Sequence, residues 1–283
     1  MRETLIGKDK HLLEFDDILD FVEYAESGPQ DGHSRGNAEK RVKFSGGTWE
    51  DAVKQAKTGN PELVKSFFDG VNVLNAMIEE EKCGEMRDVT GEYFDVAEYL
   101  SGEPECFRRD EMGEHRQVVP VYANFAMNWR VSNEVIRNRG CGIIALCDEL
   151  FRSGFIVDLR LVQCARGDGW GFDGKYYTSV KVGLDPLDLD TAAFIVANPL
   201  CHRRIFFGML EHVLNKRECG SYGTPDEYDL SDLFNSGLSG FYFVSSNHSR
   251  FYSSNYSTLE ATKTHILKMI DEFKESAEQV IVG

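Results

Sequence analysis

The stretch from Val118 to Gln163 constrains the fold more than any other part of the chain. It begins with Val118-Val119-Pro120-Val121-Tyr122-Ala123-Asn124-Phe125-Ala126-Met127 and ends with Phe155-Ile156-Val157-Asp158-Leu159-Arg160-Leu161-Val162-Gln163, two apolar runs of strand length. Between them Ile143, Ile144, Leu146, Cys147, Leu150 and Phe151 recur at helical intervals, and Gly154 stops that helix one residue before the second run. A β-α-β unit follows. The polar patch Met127 to Ser132 falls beyond the end of its first strand, where α/β sheets bind their ligands.

The remaining elements are read from the same periodicities. Residues 14–26 set Asp16, Asp17, Asp20, Glu23 and Glu26 against Ile18, Leu19 and Val22, an amphipathic helix with Asp16 as its cap. Thr48 caps a short helix carrying Trp49, Ala52, Val53 and Ala56; Asn60-Pro61 opens a longer one with Leu63, Val64, Phe67, Phe68, Val71, Leu74 and Ile78 on its buried face. Residues 1–115 are expected as a helical layer with a basic, glycine-rich loop and residues 116–283 as an α/β core that forms one compact unit. In that core the four glycines of Gly167–Gly174 turn a hairpin into an antiparallel strand over Tyr176–Leu184. A helix through Ala193 and Phe194 is broken or kinked by Pro199, and a second runs from Ile205 to Leu214. Arg203, Arg204, Lys216 and Arg217 are expected to project from it as a cationic cluster. Phe241–Val244 reads as a buried strand, the chain from Thr258 as a helix, and Val280-Ile281-Val282 as a strand closing the sheet. The expected class is α/β, with a central mixed, mostly parallel sheet flanked by helices.

Charge and thiols narrow the function. Lys and Arg total 31 against 47 Asp and Glu, a net charge of −16. That balance repels phosphate backbones, but a local basic groove is screened from the rest of the surface over about 10 Å and can still bind them. The seven cysteines form no C-x-x-C pair and read as reduced thiols. No apolar run reaches the roughly 18 residues of a membrane span, and Met1-Arg2-Glu3-Thr4 opens no signal peptide, so no membrane partner and a cytoplasmic location are expected. Cys201 and His202 are neighbours whose side chains diverge by about 100° on a helix, and the histidines show no metal-ligand spacing. No enzyme and no cofactor are expected.

Three segments carry the chemistry of nucleic-acid binding. The first, His33–Gly47, holds Arg35, Lys40, Arg41 and Lys43 against Glu39 in a glycine-rich frame and reads as a mobile loop or hairpin. The second, Met127–Arg139, sets Trp129, Arg130, Arg137 and Arg139 at the opening of a helix, where free N–H groups favour anions. The third, Asn247–Tyr256, joins Arg250 to Phe251 and Tyr252 after a later strand. Cations beside aromatic rings suit single strands of any sequence, because every base has a face to stack.

From Val118 onward the element order is similar to that of von Willebrand factor A domains, whose first strand ends in an Asp-x-Ser-x-Ser metal motif. Asn124, Ala126 and Asn128 stand at the matching positions. Hard cations need charged oxygen ligands, so the resemblance implies an A-domain-like core without tight magnesium binding. The whole chain, with Thr48-Trp49 opening a helix and Arg139-Gly140 in the helix after the first strand, resembles the single-stranded-DNA-binding transcription cofactors of schitovirus phages. That resemblance implies cooperative, sequence-independent binding of single-stranded DNA, recruitment of a phage RNA polymerase to early promoters, homo-oligomers, no OB fold, and residence in the cytoplasm of the host bacterium. The alternative is a metal-free A-domain-like adaptor for protein interactions, with no nucleic-acid role.

Overall fold

The computed structural model describes residues 1–7, 10–82, 93–94, 107–108, 118–124, 131–153, 155–166, 175–183, 189–215, 241–243 and 255–282. The β-α-β unit is present: β5 (Val118–Asn124), α5 (Asn133–Arg152) and β6 (Ile156–Arg166), with Val118 opposite Ile156 and Asn124 opposite Val162 in parallel register. β7 (Lys175–Val182) folds back antiparallel on β6, and β8 (Phe241–Phe243) pairs parallel with β5 on the other side.

The sheet does not stop at β7. Strands β1 (Arg2–Gly7) and β2 (Lys10–Phe15) form an antiparallel hairpin whose second strand pairs parallel with β7. The full order is β1-β2-β7-β6-β5-β8, a mixed, mostly parallel sheet in an α/β fold; β3 (Tyr93–Phe94) and β4 (Phe107–Arg108) pair separately. The expected helical layer is therefore wrong for its first fifteen residues. Glu14 and Phe15 belong to a strand, and α1 (Ile18–Glu26) starts later, capped by the Asp17 carboxylate on the Asp20 N–H rather than by Asp16. At the other end, Val280–Val282 does not close the sheet: these residues finish α8 (Leu259–Val282).

Strand alternation gives the sheet two unlike faces. Val119, Val121 and Ala123 of β5 point with Leu159, Leu161, Val180, Val182, Leu13 and Phe15 into one core, shared with helices from α1 to α8. The opposite face carries Tyr122, Val162, Tyr177 and Leu12 as a small apolar cluster. Beside it the Arg160 guanidinium donates to Asp158 at 2.8 Å and lies 3.6 Å from Glu14.

The helices start where their caps say. The Thr48 side chain accepts from the Asp51 N–H and the Asp51 carboxylate accepts in return, a reciprocal box at the start of α3 (Trp49–Thr58). Asn60 caps α4 (Pro61–Lys82) through the Leu63 N–H, and Ser132 caps α5 through the Val135 N–H. After α6 (Leu189–Ala197), Pro199 interrupts the helix, with Asn198 Oδ1 accepting from the Leu200 N–H at 3.0 Å. The chain then makes a wide π turn over Cys201–Ile205 before α7 (Phe206–Val213). No residue of this run from Ala192 to Glu211 faces water.

Candidate nucleic-acid interface

β5 and β8 are adjacent and parallel, with Ala123 opposite Phe243, so the chain leaves both strands at the same edge of the sheet. Asn124, the last residue of β5, is buried there. The amino end of α5 stands near this edge, and its first turn is joined to two distant parts of the chain.

The first junction is made by Arg203. Its guanidinium donates to Phe44 O at 2.6 Å, to Asn133 Oδ1 at 2.9 Å and to Val131 O at 2.5 Å, with its cation 4.1 Å above the Phe44 ring. One side chain thus ties the carboxyl end of α2 (Glu39–Ser45) to the amino end of α5. Only 5% of Arg203 is exposed, and burial pushes its pKa down to about 10. The expectation that Arg203 and Arg204 project as a cationic cluster is overturned: both are buried, while Lys216 and Arg217 lie outside the described residues.

Arg204 explains why. Its Nε donates to Ser45 Oγ and Gly47 O, Nη1 to Ser34 O and Gly36 O, and Nη2 to Gly47 O, all between 2.7 and 3.1 Å. Two turns on, the buried Glu211 carboxylate accepts from the Ser34 N–H and hydroxyl at 2.8 and 2.7 Å. These bonds grip residues 33–47 from both ends. The segment is therefore no mobile loop. It forms a 3-10 turn (His33–Arg35) and α2, which ends on Gly46 at φ 84, a left-handed position that favours glycine.

That docking sorts the cations of the first segment. Arg35 lies 4.3 Å over the Trp49 ring and donates to Gln30 Oε1, Ala25 O and Glu26 O. Arg41 is half-buried and donates to His33 O. Both are half-buried and tied internally. Lys40 and Lys43 stay exposed on α2.

The second junction is one turn further along α5. Asn138 Nδ2 donates to Tyr256 O at 3.0 Å, so the end of the third candidate segment is anchored here. Arg139 is 2% exposed; burial lowers its pKa, and a hydrogen bond with the Tyr256 side chain opposes the shift. Arg139 is an interior residue and cannot meet a strand from solvent, which corrects its place among the binding residues. Arg137 is exposed. Trp129, Arg130, Arg250, Phe251 and Tyr252 lie outside the described residues, as do Ala126 and Asn128.

Phe44 of the first candidate segment and Tyr256 of the third are thus both joined to the first two turns of α5. Lys40, Lys43 and Arg137 are exposed, and the helix presents its positive dipole end. Among the described residues no cluster of three or more His, Cys, Asp or Glu is placed to hold a metal ion. The Cys141 thiol, pushed up to about 12 by burial, stays protonated at neutral pH. Among the described residues no helix is long and apolar enough to cross a membrane. The residues that organise this site, Arg203, Arg204 and Glu211, were misread or missed. The available signal was the run from Pro199 to Leu210, which has no polar face and so had to bury its cations.

Neither the curated proteins nor the solved structures contain a match to this chain. One family profile, described as a domain of unknown function (DUF7192), matches residues 3–273. The chain therefore belongs to the DUF7192 family.

Proposed function

We propose that this protein binds single-stranded DNA without regard to sequence, and that it acts as a transcription cofactor bringing a phage RNA polymerase to promoters. One observation carries the binding part. Arg203 ties Phe44 of the first segment, and Asn138 ties Tyr256 at the end of the third, to the first two turns of α5. Among the described residues of these segments Lys40, Lys43 and Arg137 are exposed cations, and the acidic remainder of the molecule opposes a duplex, whose charge density is higher. The polymerase and the cooperative self-association rest on the resemblance to the schitovirus cofactors alone.

Titration of a labelled oligonucleotide at low salt tests the reading. Retention of single strands in preference to duplex is expected, weakened by Lys40→Ala, Lys43→Ala and Arg137→Ala together. No retention of single strands would end it. The second reading, a protein-interaction adaptor, would then stand on Val118 and Ile156, register partners that are 54% and 46% exposed on the same sheet face.

A further inference from the structure

Arg203 is a buried cation with no acid paired to it among the described residues. Its acceptors are two backbone carbonyls and one amide oxygen, its Nε has no hydrogen-bond partner among the described residues, and it forms no ion pair there. A buried charge costs several kcal/mol when unpaired, so such an arrangement calls for an anion. The cation also reaches Val131 O and Asn133 Oδ1, on either side of the cap of a 20-residue helix. The Ser132 hydroxyl caps the Val135 N–H, whereas the N–H groups of Asn133 and Glu134 precede the first intrahelical acceptor and are free of the ladder. Arg137 is exposed one turn along, on the same face of the helix as Asn133. Glu134 is the only acid of the first turn.

We propose that the amino end of α5, backed by Arg203, is a binding site for a single phosphate group. The Asn133 and Glu134 N–H groups would donate to its oxygens, Arg137 would close it from the solvent side, and Glu134 sets its affinity by repulsion. This inference deepens the single-strand reading by naming the group of the ligand that the site takes, a phosphodiester of the chain or a terminal phosphate.

The probe is inorganic phosphate, titrated into the isotope-labelled full chain at constant ionic strength, with chloride as the control. Saturable shifts of the Asn133 and Glu134 amide resonances with phosphate alone are expected. Arg137→Gln should weaken that binding, and Glu134→Gln should tighten it, each by about two- to fivefold. Both positions are exposed on a helix surface, so neither change should disturb folding. Amides that respond equally to phosphate and chloride would overturn the site, as would a Glu134→Gln variant that binds phosphate no better. Oligonucleotides carrying a 5′-phosphate or a 5′-hydroxyl separate the two sources: a preference for the first assigns a terminal phosphate, and equal binding assigns the phosphodiester. The two proposals fail separately. Phosphate shifts without strand binding would remove the single-strand reading alone, and strand binding without phosphate shifts would remove this site alone.

Discussion

Arg204 has surrendered its water entirely, and its three nitrogens are satisfied by Ser34 O, Gly36 O, Ser45 Oγ and Gly47 O. Truncation would strand those carbonyls in a dry interior and leave a void the size of the longest side chain in the core. Arg204→Ala should therefore cost about 3 kcal/mol or more in denaturant unfolding. It should also speed tryptic cleavage after Lys40, Arg41 and Lys43, since the segment they lie on would lose its main tie and could unfold into a protease. Arg204→Lys should not restore the loss, because one ammonium cannot span acceptors arranged for a planar fork. Wild-type stability in Arg204→Lys would remove this account. Asp51 gives a pH-dependent counterpart. Hydrogen bonds from the Thr48 backbone N–H and hydroxyl hold its pKa below the ordinary carboxylate value. A depressed folded-state pKa means that the cap stabilises above the ordinary carboxylate range and is lost as pH falls through the folded value. Asp51→Asn should lower the Tm at neutral pH, and the gap from wild type should close in acid. A gap that persists there would show that charge is not its source.

Among the elements, α5 is the one the others are fitted to. It lies against α4, α6 and α8, and Gly140 and Gly142 set how closely. A Cβ on Gly140 would come 2.7 Å from Ala197 Cβ and 2.9 Å from Val196 O, so α6 has no room to give except by moving its backbone. Gly140→Ala should then destabilise by about 1–3 kcal/mol, the range for overpacking a filled interior; thermal unfolding measures it, and no loss would mean the two helices can part cheaply. The π turn has a comparable positional role. Pro199 cannot continue the hydrogen-bond ladder of α6, and the wide turn that follows presents Arg203 and Arg204 to α5 and to residues 33–47 respectively.

For the whole molecule, charge is distributed unevenly between inside and outside. Arg139, Arg203 and Arg204 are interior, and Glu211 is the only fully buried carboxylate among the described residues, so the solvent-facing surface is more acidic than the total of −16 implies. Any nucleic-acid affinity must come from a local patch and must be sensitive to salt. On single strands each phosphate contact contributes a slope of about 0.7 in log K against log salt, so the Lys40→Ala, Lys43→Ala, Arg137→Ala variant should flatten the slope by about 2. Unchanged slope with unchanged affinity would place the strand elsewhere on the surface.

The core of the fold was legible because its signals are local. Strand-length runs around a helical period predicted β5, α5 and β6, the glycine-rich link predicted the β6–β7 hairpin, and Thr48 and Asn60 are caps whose bonds span three residues. The hairpin of β1 and β2 was not legible: it is short, charged and half-exposed, and it becomes part of the sheet only through pairing with β7, more than 160 residues away. The burial of the arginines is a matter of the same kind. A guanidinium in a sequence reads as a surface cation, because the carbonyls that replace its water come from remote segments and have no sequence signature. The sequence by itself determined which backbone segments are helix and strand around β5 and β6 and that cations and aromatics accumulate in three segments of the chain. Only the tertiary structure decided which of those cations hold the molecule together and which are left to meet a ligand, since that depends on carbonyls brought together from residues 34, 36, 44, 47 and 131.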